Sequence, residues 1–173
     1  MAPQCIVGQL TMEKIKVLFV CLGNICRSPL AEAIFKEKLR RKGLDQFFVV
    51  DSCGTSNYHI GDQPDARTIA NAKRNGVNMD HCVRQLTSDD LDKFDYILAM
   101  DQSNYHNITR LVRDRSHTKK IMLMREFDSI GKGEEVPDPY YGGEKNFQEV
   151  FEILDRSTEN FIKHLQQTML QKS

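Results

Sequence analysis

"IKVLFVCLGNICRSPLAEAIF", residues 15–35, is the stretch from which the rest of this chain can be read. Its first part, Ile15 to Val20, is apolar at every position but Lys16 and rich in β-branched side chains, as a strand covered on both faces requires. Its last part has helical spacing, with Leu30, Ala33 and Ile34 on one face and Phe35 beside them. A helix that begins after Ser28 places Pro29 in its first turn, where the missing N–H costs no hydrogen bond. "CLGNICRS", residues 21–28, is therefore a loop between the carboxyl end of a buried strand and the amino end of a helix.

Further along the chain the same alternation repeats, and it is the pattern of parallel strands joined by crossover helices. "FFVVDSCG" reads as a second strand, "DARTIANAKRNG" as a helix stopped by Gly76, and "FDYILAM" as a third strand followed by a helix from about Asp101 to Val112. "KKIMLM" is a short fourth strand, and Phe147, Val150, Phe151, Leu154, Phe161, Ile162 and Leu165 form the apolar stripe of a closing helix over about 146–170. The expected fold is α/β, one domain with a four-stranded parallel sheet flanked by helices. At 173 residues the chain suits one core, with residues 1–14 as a flexible extension ahead of a catalytic domain over 15–173. "REFDSIGKGEEVPDPYYGGEK", residues 125–145, is longer than an ordinary connection and is expected to be functional.

Composition narrows the partners. Lys plus Arg and Asp plus Glu number 24 each, which offers no basic surface for nucleic acid and no polybasic anchor for a membrane. The start, "MAPQCIVGQLTMEK", lacks the basic and apolar regions of a signal peptide, and no run is long enough to span a bilayer. Five cysteines, an odd number in a chain of this size, read as reduced thiols. These features make the cytosol the expected address; a monomer with at most weak self-association is the expected state.

The loop after the first strand has the makings of an anion site. Backbone N–H groups at a helix amino end favour negative charge, and Gly23 and Asn24 tolerate the left-handed turns that bring successive amides inward. The loop amides, from Leu22 through Gly23, Asn24, Ile25, Cys26 and Arg27 to Ser28, would cradle a phosphate. Arg27 adds a forked, permanent cation matched to two oxygens of a tetrahedral anion. Each donor stabilises thiolate over thiol, so Cys21 becomes a nucleophile lying beneath the bound phosphate. Alone, Cys21 would read as a small buried hydrophobe. Cysteine, five residues, then Arg-Ser at a strand-to-helix turn is a far more specific combination, and the G-x-x-x-x-G-K-[ST] pattern of an ATP phosphate loop is absent.

At these residues "VCLGNICRSPLAEAIF" resembles the active-site loop and first helix of the low molecular weight protein tyrosine phosphatases. "YHIGDQPDART", "HCVRQLT", "DDLDKFDYILAMDQSN" and "VPDPYYGGEKNFQEV" resemble that family's later segments in the same order, from Ile15 to about Leu165. The resemblance implies hydrolysis of phosphotyrosine and small aryl phosphates without metal or cofactor. It gives Asp138 the role of general acid, then base, where an Asp before Pro would otherwise be a turn former. It adds a hydrogen bond from Ser28 to the thiolate, where the residue alone reads as a helix cap. It also implies that His81 and Asp101 brace Asn24, and that Tyr58, Tyr140 and Tyr141 rim a cleft too deep for phosphoserine. His59, His106, His117 and His164 share no ligand spacing with the cysteines, so no metal site is expected.

Cys26 must lie close to Cys21, and oxidation of Cys21 to a sulfenic acid would give it a partner for a reversible disulfide, a redox role the resemblance supports. Two other readings use the same loop. A thioredoxin-coupled arsenate reductase needs a further cysteine pair, but none follows Cys82, and Cys53 falls in a strand. A phosphate-binding module without turnover would not need Cys21, Arg27 and Asp138 together.

Overall fold

Val17, Leu18, Phe19 and Val20 have no exposed surface, and their side chains divide by parity between two cores. Val17, Phe19 and Cys21 pack into one, Leu18 and Val20 into the other. Strand β1 (Ile15–Cys21) is thus the central strand anticipated from its apolar run. The computed structural model describes residues 13–171, so the extension expected over 1–14 falls almost wholly outside the described residues, as does Cys5.

Around β1 stand β2 (Phe48–Gly54), β3 (Tyr96–Ala99) and β4 (Ile121–Leu123), all parallel, in the order β2-β1-β3-β4. Helices α1 (Arg27–Arg41), α2 (Ala66–Arg74) and α6 (Glu144–Gln171) pack on the face of Phe19. There Phe35 meets Phe19, Phe48 and Phe161 at ring separations of 5.5, 5.8 and 5.5 Å. The other face is covered by α3 (Ser88–Lys93) and α4 (Gln102–Thr109), with α5 (Arg115–Thr118) ahead of β4. Because β2 and β3 flank β1 on opposite sides, the carboxyl end of β1 is the point where the strand order reverses, and open α/β sheets hold their ligands there. Cys21 is the last residue of that strand.

Helix α1 begins at Arg27, two residues before the start expected from sequence. Ser28 is consequently inside the helix and caps nothing, and its hydroxyl turns instead to Cys21. The long segment expected before α6 contains one short 3-10 turn, Met124–Phe127, and is otherwise irregular. A buried carboxylate holds its base. Asp128 accepts from Arg125 Nε (2.8 Å), Arg156 Nε (2.7 Å) and the Ile130 N–H (3.0 Å), while Arg125 Nη1 also donates to Glu135 O (2.8 Å). The strut ends three residues before Asp138.

Burial opposes the charge on Asp128, but Arg156, the Ile130 amide and Arg125 outweigh it and bring its pKa from 3.8 down to about 2. A depressed folded-state value stabilises the fold above the unfolded pKa and ceases to do so as the pH falls through the folded one. The pair of values implies a contribution on the order of 2 kcal/mol, present above about pH 4 and lost between there and about pH 2. Asp128→Asn should lower the unfolding free energy at pH 7 by at least that amount and flatten its fall below about pH 4 in urea titrations. An unchanged acid slope would disprove the assignment.

Candidate active site

The backbone of residues 21–26 is pinned from outside. Cys21 O accepts from Thr55 N (2.9 Å), Leu22 O from Ser56 N (2.9 Å) and Ile25 O from Asp65 N (2.8 Å). In a trans peptide the next N–H points opposite to the carbonyl, and no peptide bond here is cis. Fixing the Leu22 and Ile25 oxygens outward therefore turns the N–H groups of Gly23 and Cys26 toward the cleft, while the Leu22 N–H meets the Asn104 side-chain oxygen at 3.3 Å. Asn24 adopts φ 57° and donates its own N–H to Cys21 Sγ at 3.3 Å.

The sulfur lies 2.9 Å from Ser28 Oγ, and Cys21, 3% exposed as a residue, lines a cleft of about 270 Å³. Arg27 and Asp138 line the same cleft, with Tyr58, Tyr140 and Tyr141 around its mouth. The guanidinium is fixed on one side, Nη1 donating to Asp101 Oδ2 (2.8 Å) and Val136 O (3.0 Å). Its other nitrogen, Nη2, faces Asp138 Oδ2 at 3.7 Å. Burial works against the Arg27 charge, yet Cys21, Asp101 and Asp138 hold its pKa above the ordinary value. Asp138 also accepts from the Tyr140 N–H (3.1 Å), so it forms the turn expected of an Asp before Pro and faces the cation as well.

Of the two residues expected to brace Asn24, only His81 reaches it. His81 Nε2 stands 2.6 Å from Asn24 Oδ1, and Nδ1 stands 3.1 Å from Glu32 Oε1. Asp101 serves Arg27 instead, because its other oxygen is taken by the Asn104 N–H (2.7 Å) in capping α4. The Asn24 amide nitrogen goes to Ser28 Oγ (2.8 Å) and Ser52 Oγ (3.0 Å), and Ser52 in turn donates to Glu32 (2.7 Å). Burial would raise the Glu32 pKa, but His81, Lys36 and Ser52 together hold it below the usual range. Glu32, Asp51 and His81 offer three ligand atoms within 4.8 Å of one another. Lys36, at 2.6 Å from Glu32, and Arg84, at 2.8 Å from Asp51, already occupy those carboxylates, so the set fits a cation poorly.

A strand-end thiol, a half-tethered guanidinium and a facing carboxyl above a ring of amides can hold a tetrahedral anion and attack it. The sequence profile described as "Low molecular weight phosphotyrosine protein phosphatase" matches residues 16–171. The chain belongs to that family. A low molecular weight phosphotyrosine protein phosphatase of Schizosaccharomyces pombe is 46% identical over 154 residues, which is 88% of this chain and 98% of its own length. The Homo sapiens member is 42% identical over 148 residues, 85% of this chain and 93% of its own. Among solved structures, a protein tyrosine phosphatase from Entamoeba histolytica with Hepes in its active site superposes with a TM-score of 0.86 at 43% identity, covering 90% of this chain and 99% of its own. A Drosophila arginine phosphatase superposes with 0.81 at 36% identity, over 87% and 98%.

In this phosphatase several site residues carry no local sequence signal. Glu32 looks like a solvent-facing charge on α1 but is 3% exposed. Ser52 is one more residue of a strand, and His59, which lines the cleft, follows Tyr58 without any spacing that marks it. Gly54 is the most telling. It pairs with Cys21 across β1 and β2, and a Cβ there would come within 2.7 Å of Leu22 O and 3.1 Å of Asn24 N, both backbone atoms of the anion loop. Gly54→Ala should displace that loop, weakening inhibition by vanadate and lowering turnover of an aryl phosphate by at least tenfold at temperatures where the variant is still folded. Native-like vanadate affinity in the variant would show that the contact does not set the loop.

Proposed function

We propose that this phosphatase hydrolyses phosphotyrosine and small aryl phosphates in two steps through a phosphocysteine. Cys21 Sγ attacks phosphorus in line, and as the S–P bond forms the P–O bond to the aryl group breaks. Asp138 gives its proton to the departing phenolate. A water molecule then attacks the phosphocysteine, Asp138 takes its proton, the S–P bond breaks, and inorganic phosphate leaves with the thiolate restored. The loop amides and Arg27 hold the three equatorial oxygens as their charge redistributes. The observation that carries this reading is the convergence of Cys21, Arg27 and Asp138 on one cleft.

The fold alone does not choose the substrate, since the structural neighbours include both a tyrosine and an arginine phosphatase. The mouth favours the aryl ester. Tyr58 and Tyr141 are 76% and 96% exposed, and Tyr140 and Tyr141 form an edge-to-face pair at 4.9 Å that can flank a phenyl ring. We place its action in the cytosol, as a monomer. The four described cysteines are free thiols, and no helix of the described residues is long and apolar enough to cross a membrane. The arsenate reductase reading gains nothing, because Cys53 is sealed in the sheet and no cysteine follows Cys82.

Cys21→Ser should abolish release of phosphate from phenyl phosphate and from a phosphotyrosine peptide. Asp138→Ala should cost about 10²- to 10⁴-fold with phenyl phosphate, the range of general acid catalysis, and much less with a dinitrophenyl ester whose leaving group needs no proton. Equal losses on both esters would remove Asp138 from the mechanism. A phosphoarginine peptide turned over faster than a phosphotyrosine peptide would reverse the substrate assignment.

Cys21 and Cys26 line the same cleft, which supports redox control by a reversible disulfide. The balanced route is oxidation of the Cys21 thiolate by peroxide to a sulfenic acid, then attack by Cys26 sulfur with loss of water. After mild peroxide treatment, mass spectrometry should find a Cys21–Cys26 crosslink and thiol reductant should restore activity. Overoxidised Cys21 beside free Cys26 would sink the proposal.

A further inference from the structure

Leu22 and Tyr58 each face two ways. Both line the catalytic cleft, and both line a second groove of about 410 Å³. They are also conspicuously uncovered for apolar side chains, at 43% and 76% exposure, and so form an open ridge between the two hollows. Beyond the ridge the groove has an apolar floor of Leu86 and Leu111 and carries amide side chains from Gln85 and Asn107. Gln85 is already oriented, its Nε2 donating to Thr55 O at 3.3 Å. At the α4 side stands Arg110. Its neighbour Arg113 pairs with Asp92 at 3.1 Å, but the exposed Arg110 guanidinium forms no ion pair among the described residues.

We infer that this groove receives the peptide segment flanking the phosphotyrosine and favours an acidic residue there, through Arg110. The inference rests on the phosphotyrosine reading of the cleft. A phosphotyrosine side chain that descends to Cys21 leaves its backbone at the height of the ridge. At roughly 3.3 Å per residue an extended peptide passes over Leu22 and Tyr58 and into the groove within two or three residues. Side-chain amides suit peptide N–H and C=O groups, and an uncompensated guanidinium suits a carboxylate. Charge complementarity and continuity with the cleft thus select a substrate chain as the occupant.

The test uses phosphotyrosine peptides that differ only in carrying Glu, Ala or Lys two residues from the phosphotyrosine, on either side, with 4-nitrophenyl phosphate to establish that the cleft is active. An exposed pair is worth little, so kcat/KM should favour Glu over Ala by about three- to fivefold on one side and disfavour Lys, the difference fading in about 0.5 M salt. Arg110→Ala should level the three peptides, and Arg110→Glu should reverse their order. Peptide rates that ignore the flanking charge, or an acidic preference that survives in both variants, would overturn the inference while leaving the phosphotyrosine reading intact. Hydrolysis of 4-nitrophenyl phosphate with none of the peptides would overturn both. Rates per enzyme that fall as enzyme concentration rises, and do so only with Arg110 present, would assign the groove to self-association and refute the inference.

Discussion

The left-handed backbone at Asn24 is the constraint on which the site depends. With φ at 57° it reverses the loop and directs the Asn24 N–H onto the Cys21 sulfur. For a residue with a Cβ this conformation costs on the order of 1–2 kcal/mol, and it persists only where the surroundings fix it. Here they do so through every hydrogen-bonding position of the side chain. The amide nitrogen gives to Ser28 and Ser52, and the oxygen meets His81 and the Arg84 N–H at 3.2 Å. Three of those partners, Ser52 of β2 and His81 and Arg84 of the segment leading from α2 to α3, lie far along the chain, so the curvature of the five-residue loop between β1 and α1 is held by distant parts of it. Such a network is costly to satisfy in part, and that favours a single loop geometry.

Arg27 joins the loop to the rest of the cleft. One nitrogen is shared between Asp101, at the amino end of α4, and the carbonyl of Val136. Val136 N in turn donates to Met100 O at 2.8 Å, so the segment that carries Asp138 is stitched both to the guanidinium and to the end of β3. The Arg125–Asp128–Arg156 cluster holds the same segment farther back. Asp138 therefore follows directly on an anchored stretch, with Gly142 and Gly143 beyond it and 45% of its side chain exposed. An acid that must donate to a leaving group and then recruit water needs this combination of an anchored backbone and a wetted carboxyl.

What the sequence made legible follows from where each signal is stored. The sheet is legible because its strands are short and almost continuously apolar, and the long helices because their apolar stripe recurs over several turns. α3 and α5, of six and four residues, are too short to show such a stripe and leave no mark in the sequence. Cys21, Arg27 and Ser28 were readable because the loop that unites them is contiguous in the chain. Glu32, Ser52 and Gly54 take their places only after β2 pairs with β1 and α1 folds back over it, and no pattern in one dimension records that, whereas His81 is reached through the family resemblance alone. Asp101 was found, but its partner was not. The difference lies in one carboxylate oxygen being spent on capping α4, a choice only the three-dimensional position of Asn104 determines.

Cys26 shows how an anion site tolerates a second thiol. Burial, with Asp65, Cys21 and Asp138 nearby, pushes its pKa up to about 12 despite an opposing contact from Thr68. At neutral pH it is thus almost wholly protonated, and it brings no negative charge to the amides and Arg27 of the anion loop. A second thiolate at that spot would repel the substrate and compete for the same donors. The same burial sets a kinetic limit on the proposed disulfide. Attack on a sulfenic acid would proceed through the small fraction of Cys26 that is ionised, so burial would slow closure of the proposed disulfide.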